Sequence, residues 1–376
     1  MRSGNNFQLF DHGGDIYSLA DELKIQERRI LDFSSSINPL GVSKKIKAEI
    51  RKHLKYLYNY PDPEARRLRR NLAQYHGINP EMIICGNGCT ELIYLIVRSL
   101  KPERVLIPMP TFSEYERAVL ISLGPRVKGQ GSGTLESRVQ IEHLKLKEKD
   151  GFTIKPEEFI ESMKECKMAF LCNPNNPTGL LLRKDNVIKI AEEARRQNCY
   201  LVVDEAFIDF SPEGSVINFV RDNPYLIVLR SMTKFYALAG LRIGYGVFPL
   251  NLIEGLKKHK EPWSVNSLAQ RAALVALKDR VYRNNTLKLI KEEKQILEKG
   301  FKNIGIKFIP SKVNFYLLKI DNSKEIFDRL KMKGILVRDC SNFKGLDNAY
   351  IRIAVRSHRE NKIILKRFIE MLCVGR

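Results

Sequence analysis

The chain is short of acid. Asp and Glu number 43 against 64 Lys and Arg, a formal net charge of +21 over 376 residues. An imbalance of that size first suggests an acidic partner such as nucleic acid. The basic residues are nevertheless spread along the chain and interleaved with acids, as in "KLIKEEKQILEKGFKN" (288–303), which reads as an exposed helix face. No basic tail, zinc finger or RNP-type aromatic motif accompanies them, so no nucleic-acid partner is expected. Such a field would also favour a phosphorylated small substrate.

Other absences narrow the class further. No uncharged apolar run approaches the length of a bilayer span, so no membrane partner is expected. The opening "MRSGNNFQLFDHGGD" lacks the apolar core of a signal peptide, and a cytoplasmic location follows as the expectation. The seven cysteines are odd in number and form no CxxC pair, and several sit in apolar strand-like runs. Reduced thiols fit that pattern better than disulfides or a metal site, and no metal is expected. There is no internal repeat and no low-complexity linker.

What is present is an alternation of short apolar runs with amphipathic helical stretches. Candidate strands are "RVLIPMP" (104–110), "MAFLCNP" (168–174), "YLVVDEA" (200–206), "YLIVLRS" (225–231) and "RIGYGVF" (242–248), with helical stretches such as 183–198 between them. Continuous apolar strands separated by helices predict an α/β fold whose sheet is mostly parallel and covered on both faces. After about residue 280 a long charged helix (282–303) leads to "VNFYLLKI", a helix near 323–333, "ILVRD", "YIRIAV" and a last helix over 358–373. That α+β texture predicts a smaller domain, and the polar segment 129–140 reads as a surface loop.

Four stretches carry chemistry. In "CGNGCTELIYLIVRSL" (85–100) two glycines flank Asn87 and open a helix, a turn whose free backbone N–H groups suit a phosphate. In "CNPNNPTG" (172–179) prolines and a glycine set a rigid turn that offers amide donors. Asp204 ends the apolar strand of "VVDEAFIDF" (202–210), where a carboxylate needs a partner such as a protonated heteroaromatic nitrogen. In "SMTKFYALAGLRIGYG" (231–246) a lysine follows an apolar strand beside Ser231 and Thr233, with Arg242 eight residues on.

In this order, the clusters resemble the fold-type-I, pyridoxal-phosphate-dependent aminotransferase family across nearly the whole chain. The resemblance implies a large domain over 41–280 with a mostly parallel central sheet, and a smaller one from 1–40 and 281–376. It implies pyridoxal 5'-phosphate as cofactor, with Lys234 its covalent anchor and Asp204 the partner of the ring nitrogen. Asn176 would meet the ring's phenolic oxygen and Phe112 of "PMPTFSEY" would stack on the ring. Gly88, Cys89, Thr90, Ser231 and Arg242 would cradle the phosphate. Tyr60 of "YNYPDPEARRLR" resembles the tyrosine that reaches the phosphate from the second subunit of a homodimer. A lysine suits the role because only an amine condenses with an aldehyde, and it must lose its proton first. One position departs from the family pattern: the tyrosine common three residues after the aspartate is here Phe207, which has no hydroxyl to donate.

The ends of the chain are similar to two branches of the family. "GILVRDCSNFKGLDNAYIRIAVRSHREN" (334–361) places Arg338 and Arg352 on neighbouring apolar runs, a pair similar to one in histidinol-phosphate aminotransferases that binds substrate phosphate or carboxylate. "DHGGDIYSLA" followed by "DFSSSINPLG" more closely resembles the threonine-phosphate decarboxylases of cobalamin biosynthesis, as does Phe207. That resemblance implies decarboxylation of L-threonine O-3-phosphate to (R)-1-amino-2-propanol O-2-phosphate, with His12 near the substrate phosphate and Ser36 and Asn38 lining the site. Histidinol-phosphate aminotransfer is the alternative, and a nucleic-acid-binding regulator built on the same domain is a more distant one.

Overall fold

A computed structural model of the chain describes residues 12–126, 136–137 and 139–372. Cys373 and most of the expected loop 129–140 lie outside those residues.

Seven strands form the larger sheet: β1 (Ile83–Gly86), β2 (Arg104–Met109), β3 (Gln140–Lys145), β4 (Met168–Cys172), β5 (Tyr200–Asp204), β6 (Leu226–Ser231) and β7 (Gly244–Val247), in the order β1-β7-β6-β5-β4-β2-β3. The run from β6 through β3 is parallel, while β7 lies antiparallel to both β1 and β6. All five expected strands are present. The two edge strands β1 and β3 escaped the sequence reading, because "IICG" merges with the glycine turn and "QIEHLK" is too polar for a buried strand.

Side chains alternate across this sheet as the pleat requires. Met168, Phe170 and Cys172 enter one apolar cluster, whereas Ala169 and Leu171 enter the other. Helices cover both faces. In the helix Lys184–Arg196 the buried side chains Val187, Ile190, Ala191 and Ala194 recur every three or four residues, which places them on one stripe. Phe170 is fully buried and stacks on Tyr115 with ring centroids 4.8 Å apart.

A second sheet of four strands, β8 (Lys307–Phe308), β9 (Phe315–Lys319), β10 (Arg338–Asp339) and β11 (Tyr350–Ala354), is antiparallel in the order β8-β9-β11-β10. The stretch read as one run, "ILVRD", is split between two sheets. Ile335–Leu336 pairs in parallel with Leu31–Asp32, while Arg338–Asp339 pairs with β11.

The segment 33–38 is held between the two sheets. Ala354 N–H donates to the Phe33 carbonyl at 2.8 Å, Asn314 Nδ2 to the Ser36 carbonyl at 2.9 Å, and Asn38 N–H to the Lys234 carbonyl at 3.1 Å. The carboxyl ends of β2, β4, β5 and β6 face this segment's side of the sheet, where open α/β sheets bind ligands. Among the described residues, no helix is long and apolar enough to cross a membrane.

The Phe170–Tyr115 stack ties the core to this edge. Phe170→Ala should lower the urea midpoint of unfolding by the equivalent of about 3–5 kcal/mol, the range for truncating a buried aromatic. A midpoint equal to that of the unaltered chain would show that the stack is dispensable.

Candidate active site

A cavity of about 420 Å³ opens at this edge, lined by residues from both sheets and from the segment 33–38. Lys234, Asp204, Asn176, Phe112, Arg338 and Arg352 all line it. So do His12, Ser36, Cys89, Thr90, Ser231 and Arg242. Twelve positions far apart in the chain therefore meet in one place.

Lys234 follows β6 by three residues, and its backbone carbonyl is fastened to Asn38. Burial, reinforced by the guanidinium groups of Arg352 and Arg242, pushes its amine from 10.5 down to about 8. At pH 7 roughly a tenth of such an amine is neutral, against roughly one part in three thousand for an ordinary lysine. The position is thus built for a lysine that acts as a nucleophile.

Asp204 sits at the end of β5, with 3% of its surface exposed. Tyr115 Oη donates to its Oδ2 at 2.7 Å, and Ala206 N–H donates to Oδ1 at 2.9 Å. Burial raises this carboxyl above its ordinary value, while Tyr115, the Ala206 amide and Lys234 oppose the rise. No ion pair engages it among the described residues. A buried carboxylate with two neutral donors and no ion-pair partner among the described residues is complementary to a ligand that brings a positive charge.

The phosphate-suited turn has the predicted form. Gly88 caps the helix Cys89–Leu100 with φ +80°, and a Cβ there would lie 2.4 Å from Arg242 Nη2. A Cβ at Gly244 would come within 2.7 Å of Cys89 N. A side chain at Gly88 would push Arg242 away from the turn, and one at Gly244 would push its strand away from the helix terminus. Ser231 and Thr233 share a hydroxyl hydrogen bond of 2.7 Å at the same edge, and the Cys89 thiol donates to the Arg230 carbonyl at 3.0 Å.

Arg338 and Arg352 are direct cross-strand partners in β10 and β11 and both are buried. Arg352 donates through Nη1 to Asn176 Oδ1 and through Nη2 to the Ser34 carbonyl at 2.9 Å, while its buried Nε has no partner among the described residues. Burial lowers its guanidinium to about 10, with Arg338 adding to the effect. Arg338 donates to Asn342 Oδ1 at 2.9 Å and lies over the Phe343 ring. Phe207 also lines the cavity and packs edge-on against Phe315 at 5.0 Å.

Three expected residues, Asn38, Gly88 and Tyr60, do not themselves line the cavity. Asn38 does not line the cavity; its Nδ2 donates to the Phe235 carbonyl at 2.7 Å and to Thr286 Oγ1 at 2.8 Å, so its side chain is occupied in holding the Lys234 loop. Gly88 serves through its backbone, behind Arg242. Tyr60 is 82% exposed, outside the cavity and 5.1 Å from the Trp263 ring. The sequence reading also missed Tyr115, Thr233, Glu114 and Arg117. Tyr115 and Glu114 stand in "PMPTFSEY" beside Phe112, and only the helix that starts there turns them toward Asp204 and His12.

Residues 28–368 match the family described as aminotransferase class I and II. The threonine-phosphate decarboxylase of Salmonella typhimurium is 36% identical over 359 residues, 94% of each chain. The structure of the histidinol-phosphate aminotransferase of Clostridium acetobutylicum superposes with a TM-score of 0.83 at 30% identity, covering 92% of this chain and all of that one. The L-threonine-O-3-phosphate decarboxylase of Porphyromonas gingivalis gives 0.78 at 25% identity, covering 91% and 99%. Proteins of this kind use pyridoxal 5'-phosphate, and the residues present fit it. Lys234 would supply an amine for its aldehyde, Asp204 a buried anion for its ring nitrogen, and the Gly88 turn with Ser231 and Arg242 a cradle for its phosphate.

The lowered amine of Lys234 sets a pH dependence. Protonation blocks condensation with an aldehyde, so uptake of pyridoxal phosphate by the cofactor-free protein should quicken about tenfold per pH unit below about 8 and level off above it. Absorbance of the bound cofactor follows this directly. A rate still climbing past pH 10 would mean that the lysine is not perturbed.

Proposed function

From the chain's membership of the class I and II aminotransferase family, we propose that it decarboxylates L-threonine O-3-phosphate, yielding the amino-propanol phosphate used in cobalamin biosynthesis. The observation that carries this reading is the gathering of His12, Arg338 and Arg352 in one cavity with Lys234. Two arginines and a histidine match a small substrate with two anionic groups, a phosphate and a carboxylate. Full-length similarity to a threonine-phosphate decarboxylase supports it as well.

Bound pyridoxal phosphate supplies an electron sink for the pair of electrons left on Cα when carbon dioxide departs. The chain's residues do the rest. Asp204, held by Tyr115 and the Ala206 amide, keeps a proton on the ring nitrogen. Arg242, Ser231 and the amides of the Gly88 turn hold the cofactor's phosphate. Asn176 is oriented by Arg352 and carries the contact to the phenolic oxygen that Phe207 cannot make. His12, Arg338 and Arg352 between them anchor the substrate's phosphate and carboxylate. By holding the substrate's phosphate, these residues would fix its orientation and so select which bond at Cα the bound cofactor could help to break. Lys234 Nζ then returns a proton to Cα after carbon dioxide has left.

The same reading takes residues 41–280 as the large domain and 1–40 with 281–376 as the small one. It places the protein in the cytoplasm as a homodimer, in which Tyr60, exposed beside Trp263, completes the phosphate cradle of a second copy.

The test is product identification. The holoenzyme should release carbon dioxide from threonine phosphate with no oxo-acid present, and Lys234→Ala should lower turnover by on the order of 10³-fold or more. Transfer of the amino group of histidinol phosphate to 2-oxoglutarate, without carbon dioxide from threonine phosphate, would replace the decarboxylase with the aminotransferase.

A further inference from the structure

Glu114 has no role in the chemistry described so far, yet it is one of the few buried acids in the cavity wall. Only 4% of its surface is exposed. It stands in the first turn of the helix Glu114–Leu123, directly after the Phe112 loop. Three donors converge on its carboxylate. His12 Nε2 lies 2.8 Å from Oε1, Tyr94 Oη donates to Oε2 at 3.0 Å, and Arg117 Nη1 reaches Oε1 at 3.3 Å. His12 lies against the Phe112 ring with centroids 5.8 Å apart, and His12, Phe112, Glu114 and Arg117 all line the cavity.

The two ring nitrogens of a histidine are not equivalent once one is engaged. Burial alone would raise the Glu114 carboxyl, but the hydrogen bond and charge of His12, with Tyr94 and Arg117, hold it below its usual value. It is therefore an acceptor only, and Nε2 must carry the hydrogen between them. That leaves Nδ1, which no hydrogen bond engages among the described residues. An imidazole in this tautomer accepts at Nδ1. A substrate phosphate placed at Nδ1 would share a proton with it.

We propose that Glu114 is a positioning residue for substrate-phosphate recognition: by accepting the Nε2 hydrogen of His12 it orients the ring so that Nδ1 faces the phosphate, the two sharing one proton. The inference rests on the reading of His12 as a phosphate contact, and it extends that reading to a residue that touches neither substrate nor cofactor. Tyr94 and Arg117 then serve to hold Glu114. The same carboxylate would repel a phosphate if His12 were removed, so His12 and Glu114 act as one unit.

The test compares holoenzyme variants on L-threonine phosphate and on L-threonine, following both turnover and the change in cofactor absorbance on titration. Glu114→Gln should raise KM for threonine phosphate roughly tenfold, a loss in line with one hydrogen bond to a charged group. Its kcat should change much less, and the titration with L-threonine should be unaltered. Glu114→Asp should recover part of the loss. Combining Glu114→Gln with His12→Ala should cost nothing beyond His12→Ala alone and recover part of its loss, because the unpaired carboxylate is removed, as expected for coupled residues. Equal losses with the phosphorylated and phosphate-free amino acids would overturn the proposal, because a general loosening of the site acts on both. Additive effects of the two substitutions would overturn it too. If the unaltered holoenzyme transaminates histidinol phosphate instead, the decarboxylase reading fails separately. The same ratio, taken with histidinol phosphate against histidinol, then supports or overturns the role of Glu114.

Discussion

Everything at this edge of the sheet is organised around converging positive charge, part of it buried. Lys234, Arg242, Arg338 and Arg352 line one cavity, and no ion pair with a carboxylate engages Arg352 among the described residues. Burying a guanidinium without a counter-ion is costly, and the cost appears as the lowering of both Arg352 and Lys234. A site of this kind is most stable when anions occupy it. A cofactor with a phosphate and a substrate with a phosphate and a carboxylate bring the missing charge, so binding relieves a strain that folding builds in.

Two buried carboxylates keep the site from being merely a basic hole. Asp204 and Glu114 stand on different elements, and each is held by a tyrosine: Tyr115 for the first, Tyr94 for the second. Tyr115 belongs to the same helix as Glu114, and its ring stacks on Phe170 of the central sheet. One short helix thus sets the polarity of two different parts of the cavity. That coupling explains why a packing contact well inside the core bears on the chemistry at the edge.

The N-terminal segment has a comparable double use. It pairs through Leu31–Asp32 with Ile335–Leu336, meets the smaller sheet where Ala354 N–H donates to the Phe33 carbonyl, supplies the Ser34 carbonyl to Arg352, and through Asn38 holds the carbonyl of Lys234. A segment fastened to both sheets can close one wall of a cavity that neither sheet forms alone. His12 lies at the far end of that segment, where its place depends on Glu114 across the opening.

Much of this was legible in the order of residues. Continuous apolar runs ending in Asp204, Ser231 and the "CNPNNPTG" turn marked the central strands and their carboxyl ends, because a strand buried on both faces has little choice of composition. The chemistry-bearing types, an amine, a carboxylate, glycine turns and arginines, were visible for the same reason: few residues can do each task. The polar edge strand Gln140–Lys145, the division of "ILVRD" between two sheets and the structural use of Asn38 were not visible. Each depends on which segment lies alongside, and local composition carries no record of that. Nor could the sequence reveal that Tyr115 serves Asp204 or that Glu114 serves His12. Those partnerships span 89 and 102 residues, and only the packing of the helix Glu114–Leu123 against the sheet brings their atoms within hydrogen-bonding distance.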